Sequence, residues 1–461
     1  MLPKTEAVLN FIGGEMREPQ GGAWLENADP ATGKIYGRVA DSGAEDLQAA
    51  VDAAQAAFPA WRDAPAQQRA ACLRNLADLI EKHFEDFVRA ESIDTGKPVS
   101  LARAVDIPRS AANLRAFAEA AVIFTGEEFE NETSHSYTLR RPHGVVATIS
   151  PWNLPLLLFT WKAAPALAAG NCLIAKPSEV TPVTAFLLSS LIDAAGFPPG
   201  VFNLLHGRGA GIGAAIAAHP DIPAISFTGG TETGKAIYAA AAPHLKRISL
   251  ELGGKNPTIV FADAEFDAAV DGAVRAAFSN QGQICLCGSR LLIEEGIYDQ
   301  FKAAFLEKTG AIKTGDPLDL AKEEGGKILC GGKTLQIGGR CKDGFFIAPT
   351  VIEGLPQNCR TNREEIFGPV VTLQSFQNES EALAIANATE YGLAASVWTQ
   401  DDATAERMAA EIDSGIVWIN CWNLRDLNTP FGGMKKSGIG REGKWRAMQF
   451  FTEEKTVTRP K

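Results

Sequence analysis

Apolar residues recur at helical spacing early in the chain, through Leu47, Val51, Ala54, Phe58 and Trp61, and again through Leu73, Leu76, Ile80, Phe84 and Phe87. The two runs predict amphipathic helices over 44–62 and 66–92. From Gly144 the pattern changes to short apolar runs at 145–149, 172–175, 201–205, 224–227 and 247–250, separated by helical stretches. Five strands alternating with four helices signal parallel βαβ units, because parallel neighbours need a crossover long enough for a helix. After Gly253 and Gly254 a second alternation begins, with strands at 257–261 and 289–294, a helix over 267–278, and a last strand at 416–420. The Thr- and Glu-rich segments 130–141 and 450–460 lie outside both alternations and are expected to pair as a small sheet.

The 461 residues are 46% hydrophobic and 21% charged, enough to bury a sizeable core. A net charge of −11 disfavours binding a polyphosphate backbone, so small ligands are the expected partners rather than nucleic acid. The apolar run at 156–159 is cut by Pro151, Asn153, Pro155 and Lys162, too short to span a bilayer. Glu6 and Glu15 stand where a signal peptide needs an apolar stretch, and a cytoplasmic location is expected. Eight scattered cysteines then read as reduced thiols. Only Cys285 and Cys287 are close together, no histidine sits at ligand spacing to them, and no metal is expected.

Four stretches carry chemistry. Gly282-Gln-Ile-Cys285 places a thiol after a glycine turn, and although a thiol is only about 3% thiolate at neutral pH it is intrinsically very nucleophilic. Glu251-Leu-Gly-Gly-Lys255 puts a carboxylate at the end of an apolar strand, where it either faces a cavity or pairs with Lys255; desolvation there would suit it to general-base work. Ser150-Pro-Trp152-Asn153-Leu-Pro155 fixes an amide between two prolines, as a donor to developing negative charge or as an ordinary turn. The glycine-rich turns 207–213 and 227–234 each follow a strand and open a helix, where free N–H groups favour a phosphate.

These stretches, in this order and with Glu365-Ile-Phe367-Gly-Pro369, resemble the NAD(P)-dependent aldehyde dehydrogenase family over nearly the whole chain. The resemblance implies two Rossmann-like parallel α/β domains and a small bridging β-sheet, with a cofactor domain from 1–122 and 143–253, a catalytic domain from 254–444, and oligomerisation strands from 123–142 and 445–461. It implies that Cys285 attacks the aldehyde, that its N–H and the Asn153 side chain stabilise the oxyanion, and that Glu251 activates the water that hydrolyses the thioester. A homodimer or homotetramer is implied as well. So is a cofactor site made by Trp152, Lys176, Ser178, Glu179, Gly209, Gly213, Phe227, Thr228, Gly229, Gly230, Leu252, Glu365 and Phe367. A carboxylate at Glu179 accepts from a ribose 2′-hydroxyl and repels a 2′-phosphate, which favours NAD over NADP. Two departures stand out. Gly230 replaces a serine that the family often carries after Phe-Thr-Gly, and Gly315-Asp-Pro-Leu-Asp-Leu-Ala321 runs straight on where members usually have a further helix and loop.

For substrate choice, Arg109 in Asp106-Ile-Pro-Arg109 lies on a predicted helix broken by Pro108, and Arg425 lies in the loop Asn420-Cys-Trp-Asn-Leu-Arg425-Asp-Leu. Their plainest reading is a surface salt bridge, for instance Arg109 with Asp106. Both stretches, with Phe124-Thr-Gly-Glu-Glu-Phe129, resemble the branch of the family that oxidises 2-aminomuconate and 2-hydroxymuconate semialdehydes. That implies Arg109 and Arg425 as bidentate anchors for the substrate carboxylate. Succinate semialdehyde, a retinal-like or aliphatic aldehyde, acyl transfer to coenzyme A and a non-catalytic relative are the alternatives; Glu251 argues against acyl transfer, because a thiol acceptor needs no water-activating base.

Overall fold

The computed structural model describes residues 2–312 and 326–461, so the shortened stretch at 315–321 lies outside the described residues. Five strands, Val145–Ile149, Cys172–Lys176, Phe202–Leu204, Ala224–Thr228 and Arg247–Glu251, form the parallel centre of an eight-stranded sheet. The first four are buried along their whole length, the pattern of strands covered by helices on both faces. Antiparallel strands close its edges: Asn10–Ile12 and Glu15–Arg17 at one end, and Gly438–Ile439 beside Arg247–Glu251 at the other. In space Val145–Ile149 lies between Ala224–Thr228 and Cys172–Lys176, so the chain steps outward in both directions from it. The crevice past the carboxyl ends of such diverging strands is where α/β sheets take ligands.

A second, seven-stranded sheet follows, with Pro257–Val260, Arg290–Glu294, Thr350–Glu353, Val370–Phe376, Ala394–Trp398 and Ile416–Ile419 parallel and Lys327–Cys330 antiparallel at one edge. The helix Phe266–Phe278 packs on it so closely that a Cβ on Gly272 would lie 2.1 Å from the Trp398 ring. The expected small sheet forms too: Thr452–Pro460 runs antiparallel to Ser134–Pro142 from Thr452↔Pro142 to Pro460↔Ser134, and Glu128–Glu130 completes it. Among the described residues no helix is long and apolar enough to cross a membrane.

Three local expectations are corrected. The run 66–92 is two helices, Ala66–Lys82 and Phe84–Thr95, because the chain leaves helical geometry at His83. Pro108 does not break a helix; it sits in the first turn of Ile107–Ile123, where its missing N–H costs nothing, just after a π-helical turn at Ala102–Asp106. The N-terminal segment carries a three-stranded sheet of Ala7–Val8, Trp24–Asp29 and Lys34–Ala40 that the hydrophobic pattern did not reveal.

One buried cation fixes the second sheet to its helices. Arg290 donates to the carbonyls of Lys255 at 3.0 Å, Ile385 at 2.6 Å and Ala386 at 2.8 Å, the last two in the final turn of the helix Glu379–Asn387. Its charge complements the helix C-terminus and satisfies carbonyls that lack an intrahelical donor. Replacing Arg290 with Met is expected to cost roughly 3 kcal/mol through three lost hydrogen bonds. The measurement is the thermal unfolding midpoint of the purified protein, which should fall by several degrees; an unchanged midpoint would show that the carbonyls find other donors.

Candidate active site

Four of the chemical stretches leave the carboxyl ends of neighbouring strands in the first sheet. Ser150 to Asn153 follow Ile149, Pro177 to Glu179 follow Lys176, Gly229 and Gly230 follow Thr228, and Leu252 to Gly254 follow Glu251. The topology alone therefore gathers residues more than 100 positions apart.

The cysteine loop enters from the second sheet. Ahead of it, Asn280, Gln281 and Gly282 take left-handed backbone angles in succession, with φ of 49°, 58° and 69°. Left-handed geometry in a residue other than glycine costs of the order of 1–3 kcal/mol, so the loop must be held from outside. The Asn280 side chain donates to the carbonyls of Asn153 at 3.1 Å and Gln283 at 3.2 Å. Gly282 admits no side chain, because a Cβ would lie 2.2 Å from the Gly368 carbonyl oxygen. Asn256, directly after Lys255, donates its amide to the carbonyls of Cys285 at 2.7 Å and Cys287 at 2.9 Å and accepts from the Ala394 N–H at 3.0 Å. Sequence reasoning passed over Asn256, although its place beside the Glu251 motif was a usable signal.

Cys285 is left partly accessible, and its N–H makes no hydrogen bond among the described residues. Burial pushes its thiol well above the ordinary value, helped by the negative charges of Glu365 and Glu251 and opposed by Arg425. The thiol is thus electrostatically tied to the two carboxylates that the motifs had singled out. Asn153 is buried, and its amide donates to the Gln283 carbonyl at 2.8 Å, which occupies one of its two N–H groups and points the amide at the cysteine loop.

Glu251 is 3% exposed, and its Oε1 has no hydrogen-bond partner among the described residues. Burial raises its pKa well above the usual carboxylate range, and the carboxylate of Glu442 adds to the rise, while Lys162, Arg441 and Arg425 oppose it. Glu442 is itself held by Lys162 Nζ at 2.6 Å and Trp161 Nε1 at 2.6 Å. No local pattern could have shown that pair, which joins residues 280 apart. Lys255 acts on Glu365 instead, drawing its carboxyl down against the burial that raises it to about 6.

On the other side of the cleft, Glu179 accepts from Gly209 N–H at 2.9 Å and Lys176 Nζ at 3.1 Å. Burial would raise its pKa, but the charge of Lys176 and the Gly209 amide bring it below the usual value. Gly213 sits beside the Lys176 stem, and Ser178 Oγ accepts from Val180 N–H at 3.4 Å. Gly207–Gly213 does not open an ordinary helix: Gly209–Gly213 is a π-turn leading into the short helix Ala214–Ala218. Gly230 caps the eleven-residue helix Thr231–Ala241 and faces open space, while Thr231 Oγ1 is buried with no hydrogen-bond partner among the described residues. Thr228 is buried at the strand end, Gly229 rests on the Phe227 ring, and Leu252 packs on Gly234. Glu365 Oε1 accepts from Gly254 N–H at 3.0 Å, and Trp152 meets the edge of Phe367 at 5.4 Å between ring centroids. A dinucleotide fits this set, with a fixed carboxylate at each end, a free helix terminus between them and open space at Gly230.

Arg109 and Arg425 meet over one ring, each guanidinium 6.0 Å from the Trp161 centroid, with Arg425 also 4.0 Å from Phe431. Neither forms an ion pair among the described residues, and Arg109 donates only to Asn113, at 3.2 Å. The expected plain pairing of Arg109 with Asp106 is overturned, because Asp106 turns inward to Lys97 at 3.2 Å. Burial and the like charge of Arg109 bring the Arg425 pKa down to about 10.

Comparison with known proteins adds three observations. The model of the aldehyde dehydrogenase family matches residues 16–457. The chain is 46% identical to a 2-aminomuconic semialdehyde dehydrogenase of Danio rerio, covering 97% of each protein, and 42% identical to a 2-hydroxymuconic semialdehyde dehydrogenase of Pseudomonas sp. strain CF600, covering 98% of this chain and 99% of that one. The solved structure of PnpE, a Pseudomonas sp. WBC-3 protein, in complex with nicotinamide adenine dinucleotide superposes with a TM-score of 0.94 at 42% identity, covering 98% of this chain and 97% of that chain.

A thiol held far above neutrality by burial has a thiolate fraction that climbs about tenfold per pH unit. Alkylation of Cys285 by iodoacetamide in the free protein, followed by mass spectrometry, is expected to accelerate from pH 7 to pH 9 without levelling; a plateau below pH 9 would contradict the burial effect.

Proposed function

The chain belongs to the aldehyde dehydrogenase family, and we propose that it oxidises a carboxylate-bearing semialdehyde, 2-aminomuconate or 2-hydroxymuconate 6-semialdehyde, to the corresponding acid with NAD. The observation that carries the substrate class is the pair of guanidinium groups sharing the Trp161 ring without an ion-pair partner among the described residues. Two like charges in a half-buried site are costly unless an anion arrives between them, and a planar carboxylate meets guanidinium forks in a bidentate manner. The relatives named for muconic semialdehydes support the same choice.

In the reaction, the Cys285 thiol gives its proton to solvent, Sγ bonds to the aldehyde carbon to give a thiohemiacetal, and the Cys285 N–H and the second Asn153 N–H receive the negative oxygen. NAD, when bound, supplies the hydride acceptor that converts the thiohemiacetal to a thioester. Glu179 and Lys176 would hold its adenosine ribose, the N-terminus of Thr231–Ala241 its phosphates, and Glu365 and Phe367 its nicotinamide ribose and ring. Because Glu179 stands ionised where a 2′-phosphate would lie, NAD is preferred to NADP. Glu251, with its free Oε1, takes a proton from water, which attacks the thioester and releases the acid and the thiol.

The same reading assigns cofactor binding to residues 1–122 and 143–253, catalysis to 254–444, and oligomer contacts to 123–142 and 445–461. A homodimer or homotetramer is supported by the edge strand Glu128–Glu130, whose Phe129 is exposed. Eight cysteines, none in a disulfide among the described residues, support a reducing, cytoplasmic setting.

Steady-state rates with NAD test the substrate class. Arg425→Ala should raise KM for 2-hydroxymuconate semialdehyde about tenfold or more and leave that for propionaldehyde within about threefold; equal effects on both would overturn it. Glu251 becomes a base only when it loses its proton, so its raised pKa makes turnover climb with pH above the usual carboxylate range. Glu251→Gln should keep a stoichiometric burst of NADH, lower turnover about a hundredfold and flatten that climb; full turnover in the variant would remove Glu251 from the mechanism.

A further inference from the structure

Lys97 is a buried ammonium outside every motif considered above. It is 2% exposed, and its Nζ donates to Asp106 Oδ2 at 3.2 Å and to the backbone carbonyl of Asn153 at 3.1 Å, with Glu91 Oε1 4.0 Å away. Burying an ammonium is expensive unless it is paired and hydrogen-bonded. Here the compensation comes from two carboxylates and from one carbonyl in the candidate active site.

Burial raises the Glu91 carboxyl, partly offset by the charge of Lys97, and Glu91 stands farther off, at 4.0 Å, than Asp106 at 3.2 Å. Asp106 is therefore the direct partner of Lys97, with the remaining ammonium protons free for Asn153. The Asn153 carbonyl also accepts from the Asn280 side chain at 3.1 Å. It is thus clamped between a charged donor on the helical side and a neutral donor on the cysteine loop. Fixing that carbonyl fixes the Asn153 ψ angle, and with Pro151 and Pro155 restricting the flanking backbone it sets the direction of the Cα–Cβ bond and the amide beyond it.

We propose that Lys97 is a positioning residue for the oxyanion, acting through the Asn153 carbonyl to aim the Asn153 side chain at the carbonyl oxygen bound by Cys285. The inference rests on the reading of Asn153 as an oxyanion donor. Asp106 closes the π-turn that precedes Ile107–Ile123, three residues before Arg109, so the helix presenting the substrate anchor and the segment presenting the oxyanion donor share this one ammonium.

A double-mutant cycle on the full-length protein, assayed with NAD and propionaldehyde, tests the inference. Propionaldehyde is used because it has no carboxylate, which keeps anchoring by Arg109 and Arg425 out of the readout. Lys97→Met is expected to lower kcat about tenfold to a hundredfold with KM within about threefold, as a misplaced donor would. Asn153→Ala should lose at least as much, and adding Lys97→Met to it should cost less than about twofold more. If the losses multiply in the double variant, or if Lys97→Met alone keeps kcat within about threefold while Asn153→Ala does not, Lys97 does not act through Asn153. An unaltered kcat in Asn153→Ala would instead refute the oxyanion reading and this inference with it. Should Lys97→Met fail to fold with its carboxylates stranded, the charge-neutral variant Glu91→Gln, Lys97→Met, Asp106→Asn takes its place in the same cycle, with the same outcomes deciding.

Discussion

The amide of Asn256 is the constraint on which the rest of the site depends. It stands between the Glu251 motif and the first strand of the second sheet, Pro257–Val260. Through three hydrogen bonds it fixes the backbone of the cysteine loop on both sides of Leu286 and anchors it to the strand Ala394–Trp398. The loop reaches that point through three successive left-handed residues, a path that would relax without external partners. Asn280 supplies the second set of partners and passes the restraint to Asn153. Cys285 and its neighbours are therefore located by side-chain amides, which hold backbone without adding charge to a site where nearby charges shift pKa values.

The carboxylates divide according to their surroundings. Glu179 is met by an ammonium and an N–H and stays below its ordinary value, as suits a group that must remain an acceptor. Glu251 and Glu365 are buried with fewer donors and are raised, Glu251 more strongly because Glu442 faces it. A chain rich in acidic residues thus places the carboxylate it holds below its ordinary value at one end of the cleft and the two it holds above theirs at the other. Of the arginine pair, Arg425 brings its positive charge close enough to oppose the rise at both Cys285 and Glu251.

Much of this was legible in the sequence where a local signal existed. The parallel strands were visible because burial on both faces makes them continuous apolar runs, and the motifs at Asn153, Glu179, Gly229 and Glu251 were visible because each follows or closes the end of such a strand. The break at His83 was hidden, since apolar spacing continues across it from Ile80 to Phe84 and Phe87. Pro108 was misread because a proline begins a helix as readily as it ends one. The pairing of Asp106 with Lys97 instead of Arg109, and of Lys162 with Glu442, depends on which way helices face after packing, and no spacing rule reaches that far.

The short strand Gly438–Ile439 lies against Leu250 and Glu251, and Ser437 accepts from the Leu252 N–H, so a segment near the carboxyl end borders the strand that bears the base. Thr452–Pro460 then returns to Ser134–Pro142. A nascent polypeptide that has already emerged past residue 253 still lacks one margin of its first sheet, and acquires it only when Gly438 and Ile439 have left the ribosome. A chain stopped before that strand would leave Leu250 and Glu251 on an open edge, so a late segment seals the sheet made long before it.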